Sequence, residues 1–426
     1  MKKSLLFIIL LSHSLIWSQQ TYIHCGQLFD AQKAKFLGPH TIVVNGEAIE
    51  SVSQGFQNPS SSEATVIDLK TKTVYPGFID MHVHIEGEYT PTQYLNKFQA
   101  NDADVAFDAV KIAMRTLEAG FTTVRDMGGS GVNIALRNAI NEGKVSGPRI
   151  FTAGKAVGTT GGHADPTNGF KASIQGDPGP KEGVINSVDD AKKAVRQRYK
   201  NGADWIKITA TGGVLSVAKN GQNPQFTEEE IAAITSTAAD YGFKVAAHAH
   251  GDEGMYRAVA NGVTTIEHGT LIEKRTMELM KEKKAYLVPT ISAGKFVAEN
   301  AKNPGAYPEI IVPKAIAIGA QIQDTFKRAY EFGVPIAFGT DAGVFPHGQN
   351  AGEFIYMNEA GMPITEALQL ATLRNADILD QSDRLGQLKK GFMADIVATD
   401  ENAEENINTL LKVSFVMKGG KVYKNN

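Results

Sequence analysis

The chain has 426 residues, 42 % of them apolar and 21 % charged, with a formal net charge of -3. That is the balance of a globular protein of one large domain or two, and with no basic stripe or interleaved aromatic patch it excludes a nucleic-acid binder. The single cysteine, Cys25, excludes an intramolecular disulfide and a thiolate zinc cluster. It reads as a buried small hydrophobe, because Tyr22-Ile23-His24 lacks the small residues that precede a lipidated cysteine.

Residues 1–18 read as an export leader: Lys2 and Lys3, an apolar run from Leu5 to Trp17 interrupted by Ser12-His13-Ser14, and Ser18 as the small residue before cleavage. The run is short for a membrane span, although an uncleaved anchor is the competing reading. The mature protein is expected to be exported, periplasmic or secreted, without stable membrane association once the leader is removed. Residues 19–73 carry short β-rich runs at 41–44, 48–52 and 65–69, with Asn45-Gly46 as a hairpin turn.

Val74 to His84 reads as one strand entered through Pro76-Gly77. From there strand and helix alternate. Strands are expected at 122–126, 149–153, 204–209, 243–248, 264–268, 286–290 and 336–341, and helices at 102–119, 132–141, 188–201, from 227 onward, 253–260, 274–284 and 313–332. A Gly/Pro/Asp-rich loop, 158–183, is long enough to be a lid or binding element. Eight strands, each followed by a helix or long loop, predict an α/β fold with a parallel sheet closed into a (β/α)8 TIM barrel over 74–382. An open doubly wound sheet is the competitor, but it does not explain polar residues gathered at the strand ends. From 383 to 426 the β character returns, and the two β-rich ends, 19–73 and 383–426, are expected to form a small β-sandwich beside the barrel.

Strand side chains alternate faces, so His82 and His84 point the same way. Lys207 lies on the fourth strand, His248 ends the fifth, His268 the sixth and Asp341 the eighth. Each alone has an ordinary reading: a satisfied histidine, a snorkelling lysine, a helix cap. Six together at the strand ends of one barrel point to a metal site. Asp80 shares the face of the histidine pair, as a partner to it or as a structural aspartate. His24, His40 and His347 have no strand-end context and read as surface or structural residues.

The motifs Pro76-Gly77-Phe78-Ile79-Asp80-Met81-His82-Val83-His84 and Gly339-Thr340-Asp341, together with Lys207, His248 and His268, resemble the amidohydrolase superfamily of metal-dependent hydrolases. Gly391-Phe392-Met393-Ala394-Asp395-Ile396-Val397 is similar to a β-strand common there. Gly161-Gly162-His163-Ala164-Asp165, Thr211-Gly212-Gly213 and His248-Ala249-His250-Gly251 resemble the branch of imidazolonepropionases and Xaa-Pro dipeptidases, or prolidases. The resemblance implies two divalent metal ions, zinc the expected one. His82, His84 and Asp341 would hold the more buried ion and His248 and His268 the more exposed one, with Lys207 bridging them as a carbamate, that is, a carbamylated (N6-carboxy) lysine. It further implies a metal-activated water as nucleophile, with Asp341 as the catalytic group that takes its proton and passes it to the leaving nitrogen. Imidazolonepropionases are implied to use one metal and to lack this lysine, so Lys207 favours the dipeptidase side.

The expected function is therefore an exported, binuclear metal-dependent amidohydrolase that cleaves the C–N bond of small peptides, a prolidase-like dipeptidase. The alternatives are a hydrolase of cyclic amides or N-acyl amino acids, and, from another class, an exported binding protein that has lost catalysis. His163 and His250, not needed as ligands, are expected to contact the carboxylate of a dipeptide or other small-molecule substrate. The oligomeric state is open, a homo-oligomer included.

Overall fold

The computed structural model describes residues 20–216 and 220–426, so the expected leader at 1–18 lies outside the described residues. The two β-rich ends meet in one hydrogen-bonded sheet of eight strands. Its order runs Lys421–Asn425, Phe415–Lys418, Ile396–Thr399, Thr65–Pro76, Thr21–Asp30, His40–Asn45 and Ala48–Gln54, with Lys35–Leu37 paired beside Thr21–Asp30. The link between the chain ends is antiparallel, Ile396 opposite Pro76 and Thr399 opposite Thr73. Ile23, Cys25, Ile42, Leu69, Val74, Ile396 and Phe415 share one buried cluster in this unit. The ends associate as expected, but edge to edge in a single sheet and not as two separately paired sheets. Burial pushes the Cys25 thiol up to about 12, which leaves it an inert core group.

The expected strand 74–84 is divided at Gly77. The Gly77 N–H donates to Asp395 O in the terminal sheet, whereas the next N–H, of Phe78, donates to Gly120 O. The chain changes partner sheets within one residue, and a Cβ at Gly77 would lie 2.1 Å from Oγ1 of Thr122. Only glycine permits that approach.

Phe78–Val83, Phe121–Asp126 and Arg149–Thr152 form a parallel three-stranded sheet. Ile206–Thr209, Val245–Ala249, Thr265–His268 and Tyr286–Val288 form a parallel four-stranded one. Single parallel bridges connect these sheets on both sides: Val157 to Ile208 directly, and Leu287 to Ile336 and Val83 to Ala342 through the eighth segment. The expected eighth strand at 336–341 is thus held by isolated bridges and is not a regular strand.

Helices pack outside, started by local caps where the sequence offers them. Asn101 with Asp104 and Thr227 with Glu230 make capping boxes, and Ser187 accepts from the Asp190 N–H. The expected helix 313–332 is two helices, Val312–Gly319 and Ile322–Phe332, and a further helix, Ile291–Asn300, precedes them. Among the described residues no helix is long and apolar enough to cross a membrane.

Candidate metal and active site

His82 sits on the first barrel strand and His84 just beyond it, with ring centroids 5.4 Å apart. Their Nε2 atoms lie 3.5 and 3.4 Å from Oδ1 of Asp341. His268 ends the sixth strand, its ring 5.2 Å from that of His82 and 4.6 Å from that of His248 on the fifth. Ligand atoms of His82, His268 and Asp341 all fall within 4.8 Å of one another. The six expected ligands, Lys207 included, and both expected substrate contacts, His163 and His250, line one cavity of about 510 Å³. His268 and Asp341 have positive φ, 71° and 61°. Such backbone costs on the order of 1–3 kcal/mol per residue and concentrates at functional sites.

The histidines are oriented by what their outer nitrogens touch. His82 Nδ1 donates to Glu267 Oε2 at 2.7 Å, and His84 Nδ1 to Gly128 O at 2.7 Å. Both partners only accept, so Nδ1 carries the hydrogen and Nε2 keeps a lone pair facing Asp341. His248 is turned the other way: Nε2 donates to Gly212 O at 3.1 Å, which leaves Nδ1 with the lone pair. Thr290 and Thr270 hydroxyls hold Nδ1 of His268 and of His250. Asp80 accepts from the His82 and Thr340 N–H groups, from the Thr340 hydroxyl and from Asn350 Nδ2. It braces the backbone on both sides of the cluster and does not enter it.

Burial is the largest influence on the candidate ligands His82, His248, His268, Lys207 and Asp341. It lowers His82, His248 and His268 well below the ordinary histidine value, so these imidazoles are neutral, as ligands must be. Burial pulls Lys207 down to about 8 and pushes Asp341 up. Asp341 Oδ1, His163 Nδ1 and Thr209 Oγ1 are buried without a hydrogen-bond partner. A buried carboxylate oxygen facing two imidazole lone pairs and lacking any donor is an environment that a divalent cation completes, and neutral imidazole with carboxylate is a donor set suited to zinc. Lys207 is no ligand as an ammonium, and burial shifts it toward the neutral amine.

Several residues escaped the sequence reading. Glu267 Oε1 accepts from Arg125 Nη2 at 2.9 Å, and Arg125, fully buried, also donates to Met81 O and stacks on Trp205 at 4.5 Å. Glu353 accepts from the Ile291 and Ser292 N–H groups, capping the helix that follows Thr290. The loop 158–183 is more ordered than a glycine-rich lid suggests. Gly158–Thr159 pairs with Val184–Ile185, a short helix spans Ala172–Gln175, and Arg198 ties down the carbonyls of Lys155, Ala156 and Pro180. His347, as expected, is structural: buried, with Nδ1 bonded to the Thr116 hydroxyl and Nε2 to His84 O.

A model of the amidohydrolase family matches residues 73–423. Among solved structures, a Xaa-Pro dipeptidase with bound methionine in its active site is 50 % identical with a TM-score of 0.93, over 96 % of this chain and 100 % of that one. A prolidase complexed with N-methylphosphonate-L-proline is 32 % identical with a TM-score of 0.86, over 96 % and 100 %. An ochratoxinase from Aspergillus niger is 32 % identical over 381 residues, 83 % of this chain and 76 % of its own. These likenesses carry the α/β fold of TIM-barrel type, consistent with the run of eight parallel segments.

Proposed function

The chain belongs to the amidohydrolase family of hydrolytic enzymes, and from that membership we propose that it is a metal-dependent dipeptidase, cleaving the C–N bond of small, prolidase-like dipeptides. One observation carries the reading: four histidines, Lys207 and Asp341 converge on a single cavity of about 510 Å³, within the roughly 300–1,000 Å³ usual for small ligands. The 50 % identity to a Xaa-Pro dipeptidase supports the choice of substrate.

In this reading His82, His84 and Asp341 hold one divalent ion, and His248 and His268 the other. Bound there, such ions polarise a carbonyl and acidify water. Burial favours the neutral amine of Lys207, the form that can attack CO2 and release one N–H proton to give a carbamate; that anion, its single charge shared by two oxygens, would be the ligand Lys207 offers the two ions. Asp341 would take the proton of the attacking water and hand it to the leaving nitrogen. Glu267 and Gly128 O hold the His82 and His84 rings in one tautomer while this occurs. Export, expected from residues 1–18, belongs to the same proposal, and N-terminal sequencing of protein recovered outside the cytoplasm tests it.

The test is a screen of zinc-reconstituted protein against a dipeptide library, a cyclic amide and N-acyl amino acids. Dipeptide hydrolysis that is lost on chelation is expected. Activity confined to the cyclic amide or the N-acyl compounds would overturn the dipeptidase reading, and zinc binding without any hydrolysis would favour a binding protein.

A further inference from the structure

The cavity has two unlike walls. Segments after the second and third strands supply Ser130, Lys155 and Glu182. Facing the same space, helices Ile291–Asn300 and Val312–Gly319 and the start of Ile322–Phe332 supply Ala293, Val297, Ile318 and Ile322, and none of the described residues these helices contribute is charged. The cavity side of these helices is small-residue and aliphatic, and glycines draw the helices together. A Cβ at Gly319 would lie 2.3 Å from the Cβ of Ala298, and one at Gly294 would lie 2.7 Å from Cγ2 of Ile322. Where two helices are held that close by glycine and the side chain facing the cavity is alanine, space is left that no side chain of this protein fills. An aliphatic hollow opening onto a polar reaction centre is filled favourably by an apolar group of the ligand.

We infer that this recess receives an apolar side chain of the substrate and sets its specificity, so that a dipeptide is selected for a bulky aliphatic, thioether or aromatic residue at one of its two positions and not for proline alone. The inference rests on the dipeptidase reading. Its physical content is the removal of apolar surface from water against Val297, Ile318 and Ile322, while a charged side chain would lose hydration there with no partner. Ala293 and Ile318 both line the recess.

The experiment measures kcat/KM of zinc-loaded protein on two dipeptide series, each varying one position through Gly, Ala, Leu, Met, Phe, Asp and Lys. In one of the series the leucine, methionine or phenylalanine member should exceed the alanine member by at least about 10-fold, and the charged members should fall below it. One methylene in an apolar pocket is already worth roughly 10- to 200-fold. Ala293→Leu, which fills the recess, should reduce the bulky-to-alanine ratio about 10-fold or more. Ile318→Ala, which widens it, should move the optimum toward phenylalanine. A ratio within one variant is insensitive to how much of that variant folds. If wild type cleaves dipeptides but all members of both series lie within about 3-fold, or if neither variant shifts the ratio, the recess inference is overturned and the dipeptidase reading stands. If no dipeptide is cleaved, the dipeptidase reading fails, and this inference with it.

Discussion

His82 and Glu267, 185 residues apart in the chain, meet through a 2.7 Å contact between Nδ1 and Oε2 in a region neither shares with solvent. Glu267 in turn faces Arg125, so the orientation of a candidate metal ligand depends on the buried ion pair directly behind it. A carboxylate behind a ligating histidine fixes the tautomer and raises the basicity of the other nitrogen. Glu267→Gln keeps the shape but removes the charge. Zinc affinity should fall by roughly 10- to 100-fold, and stability by up to about 3–5 kcal/mol as Arg125 loses its counter-charge. Zinc titration and urea melts of the metal-free protein separate the two effects. Lost stability with unchanged zinc affinity would mean that the pair serves the barrel interior alone.

Lys207 gives a second prediction. In the proposed carbamate role Lys207 would give each ion one oxygen, and Lys207→Ala would remove both. Zinc affinity should drop by at least the roughly 10- to 100-fold that loss of an outer partner costs, with partial recovery when short-chain carboxylates fill the gap. Full zinc content and full activity in the alanine variant would sink the bridging role.

The residues that converge on the cavity were legible because their signals are local. His82 and His84 follow strand alternation, Lys207 lies within a β-rich run, and His248 and His268 each close one. What supports them was not. Glu267 and Arg125 look like single polar residues in strands until two strands of different sheets face each other across the interior and their side chains meet. The helix Ile291–Asn300 has no side-chain cap of its own and carries Gly294; its N-terminus is satisfied by Glu353, about 60 residues on. A cap supplied by tertiary contact leaves no local pattern to read. The terminal strands alternate in the same way whether they pair edge to edge or stack, so the choice between one sheet and two was equally hidden.

Asp341 gives a third. Asp341→Asn keeps an oxygen near His82 and His84 but cannot accept a proton. A fall in kcat of about 10²–10⁴ is expected, with metal content measured alongside to subtract any lost ligand. An unchanged kcat at equal metal content would move the proton transfer to another group.

Stability should carry a pH signature far from the cavity. Lys418 donates to Gly147 O, and burial, aided by the charge of Arg149, pulls its ammonium down to about 8 from 10.5. The folded state therefore binds fewer protons than the unfolded one between those values, and unfolding free energy gains a positive slope with pH there. The penalty is complete below about 8 and relieved as pH rises through about 10.5. Lys418→Met removes the titration. The stability of wild type minus variant should rise across that window in melts taken on metal-free protein, and a flat difference would show that Lys418 titrates normally.

The last prediction concerns which histidine reads a substrate carboxylate. His250 has its Nδ1 engaged by the Thr270 hydroxyl, whereas His163, its ring 4.3 Å from that of His248, leaves Nδ1 buried and unpartnered. An unpaired buried nitrogen is unfavourable unless a ligand satisfies it, and His163 is held in place by its backbone N–H on Gln225 Oε1. On this ground the substrate contact is expected of His163. A cleaved dipeptide should be preferred over its C-terminal amide in wild type by about 1.5–3 kcal/mol in kcat/KM, the range for hydrogen bonds to charged groups. His163→Ala should erase most of that preference, and His250→Ala should keep it. If His250→Ala alone erases it, the two histidines exchange roles. If wild type is indifferent to amidation, neither faces a carboxylate, and neutral substrates such as cyclic amides become the better match for the cavity.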